Sequence, residues 1–185
     1  MSPVFTRDGD DGSTHLLGKG KYAKNDLRLE CLGAIDEASS ALGLARALSQ
    51  SEDNQQIIKK LQQDLYILMT EIAASPDNTD QFVCISSIQV NWLEAQIKEY
   101  ENEISPPEEF ILPGDSAAGA ALDLARTIVR RAERRLVDLF QQDIVSNKEL
   151  LRYLNRLSSL CFMLELNENG STGSGRSTLA KNPDG

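Results

Sequence analysis

Apolar residues recur at intervals of three and four along most of the 185-residue chain, and this periodicity constrains the fold more than any other feature. Such spacing places apolar side chains along one face of a helix. It predicts five helices, at about residues 26–48, 52–74, 86–104, 116–140 and 148–166. The alternating pattern of strands and internal repeats are both absent from the sequence. Long helices with short connections therefore predict an all-α fold, a five-helix antiparallel bundle.

Three segments lie outside the predicted helices. Residues 1–25 are rich in glycine, aspartate and lysine and predict a loop, whereas the Gly/Ser-rich residues 167–185 predict a flexible tail after the helical domain at 26–166. The connection "SPPEEFILPGDSAAG" carries an apolar triplet that cannot be helical just before Pro113. The first residue of that triplet, Phe110, is either a plug that closes the bundle end or part of a site.

Net charge, cysteine content and histidine content exclude several function classes. The formal net charge of −9 opposes non-specific nucleic-acid binding, because phosphates need a positive surface. The three cysteines, at positions 31, 84 and 161, are odd in number and far apart without a CxxC motif, which argues against a disulfide framework or a thiolate zinc site. His15 is the only histidine, so a histidine-rich metal site is impossible and a Ser-His-Asp triad has one candidate.

The distribution of apolar residues indicates the compartment. No apolar run approaches the roughly 20 residues of a membrane span. Residues 1–5 are too short for a signal peptide, and widely spaced cysteines suit a reducing environment. We expect a soluble, cytoplasmic protein with neither a membrane nor a nucleic-acid partner.

The stretch "TRDGDDGST" at residues 6–14 has three interpretations: a calcium loop, an anion cradle or a solvated leader. The calcium loop fails in register, because a loop that starts at Asp8 has Ser13 at position six and Lys19 at position twelve. The cradle is supported by glycines that let backbone N–H groups converge on an anion, and by the charges of Arg7 and Lys24. Its acids either order the loop or face a magnesium-bound phosphate. The sequence also allows the third interpretation, a solvated leader.

The fourth predicted helix carries an arginine-rich run, "LARTIVRRAERRLVDL". Arg126, Arg130 and Arg134 are four residues apart and share one face, and Arg131 belongs to a neighbouring row. Such a run is commonly a solvated face. Beside so broad an apolar surface, however, we expect part of it to be covered and paired with carboxylates or phosphates.

Asp36 follows Ile35 on a face of the first helix that we expect to point inward. A buried aspartate is costly without a cation, so Asp36 must be paired, exposed or in an interface. An arginine of the fourth helix is its natural partner, with an ordinary intramolecular ion pair as the alternative.

Together these pieces resemble the propanediol-utilisation-type family of ATP:cob(I)alamin adenosyltransferases, over residues 6 to about 166. The family's opening motif T-R-x-G-D-x-G-x-T matches Thr6, Arg7, Gly9, Asp10, Gly12 and Thr14. Further matches are Lys24, Arg28, Glu30, Gly33, the V-D-E element at 35–37, "FILPG" at 110–114, "ARTIVRRAERR" at 125–135 and "LNRLS" at 154–158. Several ordered motifs at sensible separations make the resemblance specific.

The resemblance implies a ferritin-like five-helix bundle of the cobalamin adenosyltransferase type, assembled as a homotrimer with active sites between subunits. It implies that ATP is held by the loop of one subunit and by the fourth and fifth helices of its neighbour. The implied ATP-binding residues are Thr6, Arg7, Asp8, Gly9, Thr14, Lys24, Arg130, Arg131, Glu133, Arg134 and Asn155. The implied corrinoid-binding residues are Phe110, against the lower face of the ring, and an intersubunit ion pair of Asp36 with Arg126. These three and Arg130 are the implied catalytic residues.

The implied reaction is attack of cobalt(I) on C5′ of ATP, which releases tripolyphosphate. The nucleophile belongs to the substrate cobalamin, so the protein needs no histidine or cysteine base. It must orient the reactants and, with Mg²⁺, neutralise the triphosphate. A reductase that supplies cobalt(I) and a cobalamin-dependent acceptor enzyme are the expected partners. The metal ligands are not assigned.

Some positions depart from the family pattern. The usual "NRLSD" ends here in Ser159, Asp115 replaces a small residue after "LPG", and His15 stands where small hydroxyl residues are common. Asp115 would place a negative charge near the corrin. The departures at Ser159 and Asp115 motivate a second hypothesis, a corrinoid- or ATP-binding relative without turnover, such as a chaperone or sensor. A purely structural bundle is the third.

Overall fold

The computed structural model describes residues 5, 7–75, 78, 81–82, 84–171 and 177–181. Five helices make up most of it, and the prediction of a five-helix, all-α architecture is confirmed. They are α1 (Leu27–Leu48), α2 (Glu52–Ala73), α3 (Ser87–Glu103), α4 (Ala117–Gln141) and α5 (Lys148–Ser171). In the described part of the chain, no helix is long and apolar enough to cross a membrane.

Polar caps explain why the helices begin close to where the sequence predicts. Asp26 accepts a hydrogen bond from the backbone N–H of Arg28 at the start of α1, and Ser51 and Ser116 cap α2 and α4 in the same way. Ser86 forms a capping box with Gln89 at the start of α3. Each cap satisfies an N–H group that has no partner within the helix, so a capping residue before an apolar run marks the boundary.

Four pairs of helices make the main contacts of the bundle. α1 lies against α2 and α4, while α5 lies against α3 and α4. Two ion pairs show the direction of α1 relative to α4, because Glu30 lies near Arg135 and Glu37 pairs with Arg131. The residue number therefore rises along one helix as it falls along the other.

The apolar stripes meet in one core to which all five helices contribute. Leu42, Leu65, Leu93, Leu122 and Leu157 are fully buried, one from each helix. Complete burial of a leucine side chain contributes about 1.5–3 kcal/mol relative to leaving it exposed. The apolar stripes predicted from the sequence are therefore the faces through which the helices pack against one another.

A small hairpin precedes α1, and the prediction of a chain without strands is wrong here. β1 (Ser13–Thr14) pairs antiparallel with β2 (Tyr22–Ala23). Strands of two residues are too short to show an alternating pattern, so periodicity misses them. Between them, the His15 Nδ1 atom lies 2.9 Å from the carbonyl oxygen of Gly20.

The hairpin is fastened to the end of α2. The N–H of Leu17 donates to the carbonyl of Ala73 at 3.0 Å, and the N–H of Ser75 donates back to Leu17 at 2.9 Å. The Arg28 guanidinium donates to the carbonyls of Ile72 and Ala74 at 3.2 and 2.6 Å. These bonds satisfy carbonyls at the C-terminal end of α2 and fix residues 7–26 relative to the bundle.

The predicted boundary between the bundle and the tail is wrong by five residues. α5 continues to Ser171, where the sequence predicted an end at residue 166 and a flexible tail from 167. Buried Leu166, Glu168 and Asn169 continue the packed face and keep the helix going. Residues 177–181 lie beside residues 110–115 and form hydrogen bonds with them. Residues 172–176 and 182–185 lie outside the described residues, and their flexibility stays a prediction.

Candidate functional site

The N-terminal loop turns through two residues in the left-handed region of backbone conformation. Arg7 has a φ of 67° and Gly12 has a φ of 81°. The N–H of Asp10 donates to the Arg7 carbonyl, and the N–H of Gly12 donates to the Gly9 carbonyl, both at 3.2 Å. A left-handed conformation is natural for glycine but disfavoured for arginine, so the turn at Arg7 is held by its surroundings.

Lys24 joins the two sides of this loop. Its Nζ donates to the Gly9 carbonyl at 2.7 Å, and its backbone N–H donates to the Gly12 carbonyl at 2.9 Å. A Cβ atom at position 9 would lie 2.9 Å from the lysine Nζ, so Lys24 reaches this place because position 9 is glycine. The ammonium group has three donors and uses one of them here, which leaves it able to bind an anion.

Asp11 orders the loop, a role that the sequence assigned to its acids without distinguishing among them. It accepts hydrogen bonds from the hydroxyl and the N–H of Ser13, at 2.5 and 3.1 Å, and pairs with Lys21 at 2.5 Å. Lys21 and Ser13 together hold the pKa of Asp11 far below its usual range. The D-x-S spacing, typical of a side chain that bonds the backbone two residues on, is the signal that would have found it.

A cleft of about 490 Å³ opens between α3, the connection at 104–116, α4 and α5. It brings together Phe110, Arg126 and Arg130, three of the four residues implied as catalytic. The Phe110 ring is 89% exposed, so it does not plug the bundle within the single chain. Ser159, where the resemblance led us to expect an aspartate, also lines the cleft.

The two arginines of the cleft differ in their partners. Arg126 pairs with Asp123, one turn away on α4, with Nε and Nη2 at 2.8 and 2.6 Å from one carboxylate oxygen. The guanidinium of Arg130 has no hydrogen-bond or ion-pair partner among the described residues. An exposed arginine without a carboxylate partner is available to a phosphate.

The rest of the arginine run extends along the exposed side of α4. Arg131 pairs with Glu37 of α1, and Arg134 donates to the carbonyl of Arg130 at 3.0 Å. Asn155 of α5 donates to Glu133 at 3.0 Å, so these two predicted ligands lie together. The expectation that part of the run is covered holds for Arg126, which is half-buried and paired with Asp123, whereas Arg130, Arg131 and Arg134 are exposed in the single chain.

Asp36 does not point inward, and that expectation is wrong. Ile35 is fully buried, whereas Asp36, about 100° further around α1, is exposed and lies outside the cleft. Within the described part of the chain it has no ion-pair partner. Of the three possibilities that the sequence left, exposure in the single chain or burial in an interface remains. Pairing of Asp36 with Arg126 of another subunit stays a prediction.

Glu165 is a group that the sequence interpretation missed. It lies on α5 within the face that includes Ser158 and Phe162 of the cleft wall, and it is fully buried. Neither of its carboxylate oxygens has a hydrogen-bond partner among the described residues. Burial, with repulsion from Asp123, raises its pKa to about 7, against the opposing effect of Arg126. The signal was an acid inside the apolar run "CFMLEL".

Comparison with known families gives one result that decides where the chain belongs. The family described as cobalamin adenosyltransferase matches residues 4–167. The chain belongs to the cobalamin adenosyltransferase family. The adenosyltransferase match includes both the loop and the cleft and ends before residues 177–181.

Relatives with this family name are similar over most of the chain. The corrinoid adenosyltransferase of Bacillus subtilis is 38% identical over 176 residues, which cover 93% of this chain and 89% of that protein. The corrinoid adenosyltransferase PduO of Salmonella typhimurium is 35% identical over 162 residues, which cover 87% of this chain and 48% of that protein. The chain therefore spans about half the length of the PduO relatives that it matches.

Solved adenosyltransferase structures from Lactobacillus reuteri have the same fold. An arginine-to-lysine variant of a PduO-type enzyme, complexed with ATP, superposes with a TM-score of 0.87 at 30% identity and covers 96% of this chain and 100% of its own. A phenylalanine-to-alanine variant, complexed with cobalamin and ATP, gives a TM-score of 0.85 at 30% identity, with 97% and 100% coverage.

The predicted site residues thus fall into separate groups within one chain. Arg7, Asp8, Gly9, Thr14 and Lys24 belong to the loop near the end of α2, whereas the cleft residues lie beside the connection at 104–116. The Arg7 guanidinium also lies over the ring of Phe5, 5.8 Å from its centre. The remaining predicted ligand, Thr6, lies outside the described residues.

Proposed function

We propose that this chain transfers the 5′-deoxyadenosyl group of ATP to the cobalt of cob(I)alamin. The cobalt(I) electron pair forms the Co–C5′ bond while the C5′–O bond breaks, and tripolyphosphate leaves with that bond's electrons. Cobalt is formally oxidised to cobalt(III), and the products are adenosylcobalamin and tripolyphosphate. The observation that carries the proposal is the family match over residues 4–167.

The protein's task in this reaction is orientation and charge neutralisation, since the nucleophile is supplied by the substrate. We assign the triphosphate to Thr6, Arg7, Asp8, Gly9, Thr14 and Lys24 of the loop and to Arg130, Arg131, Glu133, Arg134 and Asn155 of the helices. Support comes from the Lys24 ammonium, which uses one of its three donors for the Gly9 carbonyl and keeps the others for an anion. Further support comes from Arg130, which lacks a partner within the described residues.

We place the corrin ring at the cleft, with Phe110 against its lower face. An 89% exposed phenylalanine on a proline-flanked connection is a costly arrangement in water, and a flat apolar ligand would cover it. The ring offers no ligand atom, so it denies the lower axial position of cobalt to water and to the nucleotide tail of cobalamin. Removal of that ligand favours reduction of cobalt(II) to the cobalt(I) nucleophile.

A homotrimer with sites between subunits completes the arrangement. Asp36 of α1 is exposed without a partner among the described residues, and Leu44 of α1 and Leu124 of α4 are about half exposed. An interface formed by α1 and α4 would cover these leucines and bring Asp36 to Arg126 of a neighbour. Arg126 would then exchange or share its present partner, Asp123.

The loop also fits magnesium-bound ATP. Mg²⁺ commonly takes one or two carboxylates and completes its shell with phosphate and water oxygens. Asp10 is exposed, and its carboxylate has no partner in the described part of the chain, so it is available for such contact. The ion would supply neutralisation of the leaving tripolyphosphate. Asp11 is less suitable, because Ser13 and Lys21 occupy it.

The reaction requires partners before and after it. Cobalt(I) must be supplied by a reductase, and a cobalamin-dependent enzyme must accept the product. We place the protein in the cytoplasm, where the buried thiols of Cys31 and Cys161 would stay reduced. A second candidate function, cobalamin and ATP binding without turnover, is favoured by Ser159 alone, which lines the cleft in place of a carboxylate.

An anaerobic assay tests the proposal and separates it from binding alone. Protein, magnesium-ATP and chemically reduced cobalamin are mixed, and the spectrum of adenosylcobalamin is followed. Phe110→His should suppress turnover of cobalamin supplied as cobalt(II), because histidine offers an axial ligand, while ATP affinity stays unchanged. Cobalt(I) supplied directly should restore part of the rate.

Tyr66→His is the matched control, since Tyr66 is an exposed aromatic residue on α2, away from the cleft. It should leave turnover of cobalt(II) substrate at the parental rate. If Phe110→His turned over cobalt(II) substrate at the parental rate, the proposal that the corrin lies against Phe110 would be wrong. A parental protein that binds both substrates without forming adenosylcobalamin would establish the second candidate.

A further inference from the structure

The segment at residues 177–181 pairs with the connection that carries Phe110. The N–H of Leu112 donates to the carbonyl of Thr178, and the N–H of Ala180 donates to the carbonyl of Phe110, both at 2.7 Å. Ile111 and Leu179 lie between these bonds as an antiparallel bridge. Residues 177–181 therefore form a strap, a single extended segment that fixes the backbone on both sides of Ile111.

Asp115 clamps this strap. Its Oδ2 accepts the backbone N–H of Thr178 at 2.8 Å, and its Oδ1 accepts the hydroxyl of the same residue at 2.7 Å. These two bonds lower the pKa of Asp115. Because one carboxylate binds two donors of one residue, the clamp defines both the register and the orientation of the strap.

The strap matters because Phe110 itself has little packing, although its neighbour Ile111 packs against the core. The ring is 89% exposed, so side-chain packing contributes little to its position. The connection is neither helix nor regular strand, and its own backbone lacks a repeating hydrogen-bond pattern. The orientation of the ring must then follow from the backbone, which is held by the two bonds to the strap.

We propose that Asp115 and Thr178 are positioning residues for Phe110, which hold residues 177–181 against the connection and so orient the ring toward the corrin. This inference rests on the proposed placement of the corrin at Phe110. It changes the interpretation of Asp115, because its charge is engaged by Thr178 and is not directed at the corrin. The family match ends at residue 167, so Thr178 lies beyond the segment that this match covers.

The test uses conservative substitutions in the full chain. Asp115→Asn keeps the shape but replaces one acceptor oxygen with a donor, and Thr178→Val removes the hydroxyl, whereas Thr178→Ser retains it. We expect Asp115→Asn and Thr178→Val to raise the KM for cob(II)alamin about five- to tenfold, with the KM for ATP unchanged within about twofold. Thr178→Ser should behave as the parent. Asp138→Asn, which changes a partly exposed acid near Arg135 of α4, is the control and should change neither constant.

A spectroscopic readout separates positioning from mere stability. Electron paramagnetic resonance of bound cob(II)alamin reports whether the lower axial ligand is absent, and Asp115→Asn should lower the fraction without that ligand. Hydrogen exchange at the amides of Leu112, Thr178 and Ala180 should accelerate in the same variant, which shows directly that the strap has been released. Parental exchange and parental spectra in Asp115→Asn would overturn the inference.

A second cycle distinguishes failure of this inference from failure of the proposed corrin site. In a Phe110→Ala background, Asp115→Asn should cause no further change in the KM for cob(II)alamin, because the residue to be positioned is gone. Additive effects would mean that Asp115 acts independently of Phe110, which overturns the inference and leaves the proposed function intact. A parental KM and spectrum in Phe110→Ala alone would overturn the corrin placement, and the inference with it.

Discussion

The N-terminal loop and the cleft beside Phe110 are built in opposite ways. In the loop, Asp11 is satisfied by Ser13 and Lys21, and Lys24 spans to the Gly9 carbonyl. In the cleft, Arg130 has no partner within the described residues, and the Phe110 ring faces solvent. The loop is ordered by its own hydrogen bonds, whereas Arg130 and Phe110 of the cleft are left open.

This difference shows what each region requires from a partner. A loop that is ordered by its own contacts is shaped before ATP binds, which lowers the entropy cost of binding. Among the described residues, the cleft has a cation without a partner, the Arg130 guanidinium, and an exposed aromatic ring, Phe110, so it is incomplete in a single chain. We interpret the loop as a preformed half-site and the cleft as a half-site that substrate and a neighbouring subunit complete.

The largest expected effect concerns the subunit interface. Removal of one partner of a buried ion pair commonly costs about 3–5 kcal/mol, because the other charge is left unpaired. If Asp36 is buried against Arg126 of a neighbour, Asp36→Ala should dissociate the trimer at micromolar concentration or abolish corrinoid binding. Its helical content should stay intact, because Asp36 is exposed within the chain.

Light scattering and circular dichroism check this prediction. Asp53→Ala, which removes an exposed acid in the first turn of α2, is the control and should leave the trimer assembled. A parental protein that is monomeric at micromolar concentration would contradict the trimer. An Asp36→Ala trimer with parental corrinoid affinity would contradict the ion pair.

The next effect tests the free cation of the cleft. Charge-assisted hydrogen bonds contribute about 1.5–3 kcal/mol each, so Arg130→Ala should lower kcat/KM for ATP at least roughly tenfold. Arg152→Ala is a matched control, because Arg152 is an exposed arginine of α5 that pairs with Glu149 in its own helix. Steady-state kinetics with both variants decide the point. Equal kcat/KM values for the parent and Arg130→Ala would show that Arg130 does not contact the triphosphate.

A smaller effect tests the buried acid under the cleft. The pKa of Glu165 is raised from 4.5 to about 7, so the folded protein keeps a proton that the unfolded chain loses between these values. Stability is therefore fully present below pH 4.5 and falls as the pH rises toward 7. Glu165→Gln removes this titration. The free energy of unfolding of the variant minus that of the parent should therefore be larger at pH 8 than at pH 4.5, by on the order of 2 kcal/mol.

Urea denaturation of the parent and Glu165→Gln at the two pH values measures this difference. Glu149→Gln, which changes a partly exposed acid of the same helix, controls for general pH effects. The same stability difference between parent and variant at both pH values would show that folding does not raise the pKa of Glu165.

The fold was largely predictable, because helical periodicity and capping residues are local. Ser51, Ser86 and Ser116 mark helix starts that the structure places within about two residues of the predictions. The sequence analysis missed the hairpin, whose strands have two residues each, the strap at 177–181 and the extension of α5. They depend on partners distant in sequence, such as Asp115 for Thr178, and no local pattern encodes those contacts.

The site was predictable in its residue types but not in its geometry. The arginines of α4 and the Lys24 loop follow from charge and spacing. The exposure of Asp36 could not be predicted in this way. Successive residues of a helix point about 100° apart, and it is Ile35, one residue earlier, that takes the buried position. Glu165 was missed because an apolar run dominates its surroundings and hides one acid. Whether the loop and the cleft meet across subunits is beyond what one chain encodes.

Complementation between two inactive variants measures that last point directly. Lys24→Ala damages the loop, Arg130→Ala damages the cleft, and each variant alone should have little activity. If each site combines the loop of one subunit with the cleft of its neighbour, trimers refolded from an equal mixture should contain intact sites at about a quarter of positions, and activity should rise toward that level. If both halves of a site come from one chain, no intact site forms in any mixture. Activity of the mixture equal to the mean of the two separate variants would contradict the intersubunit site.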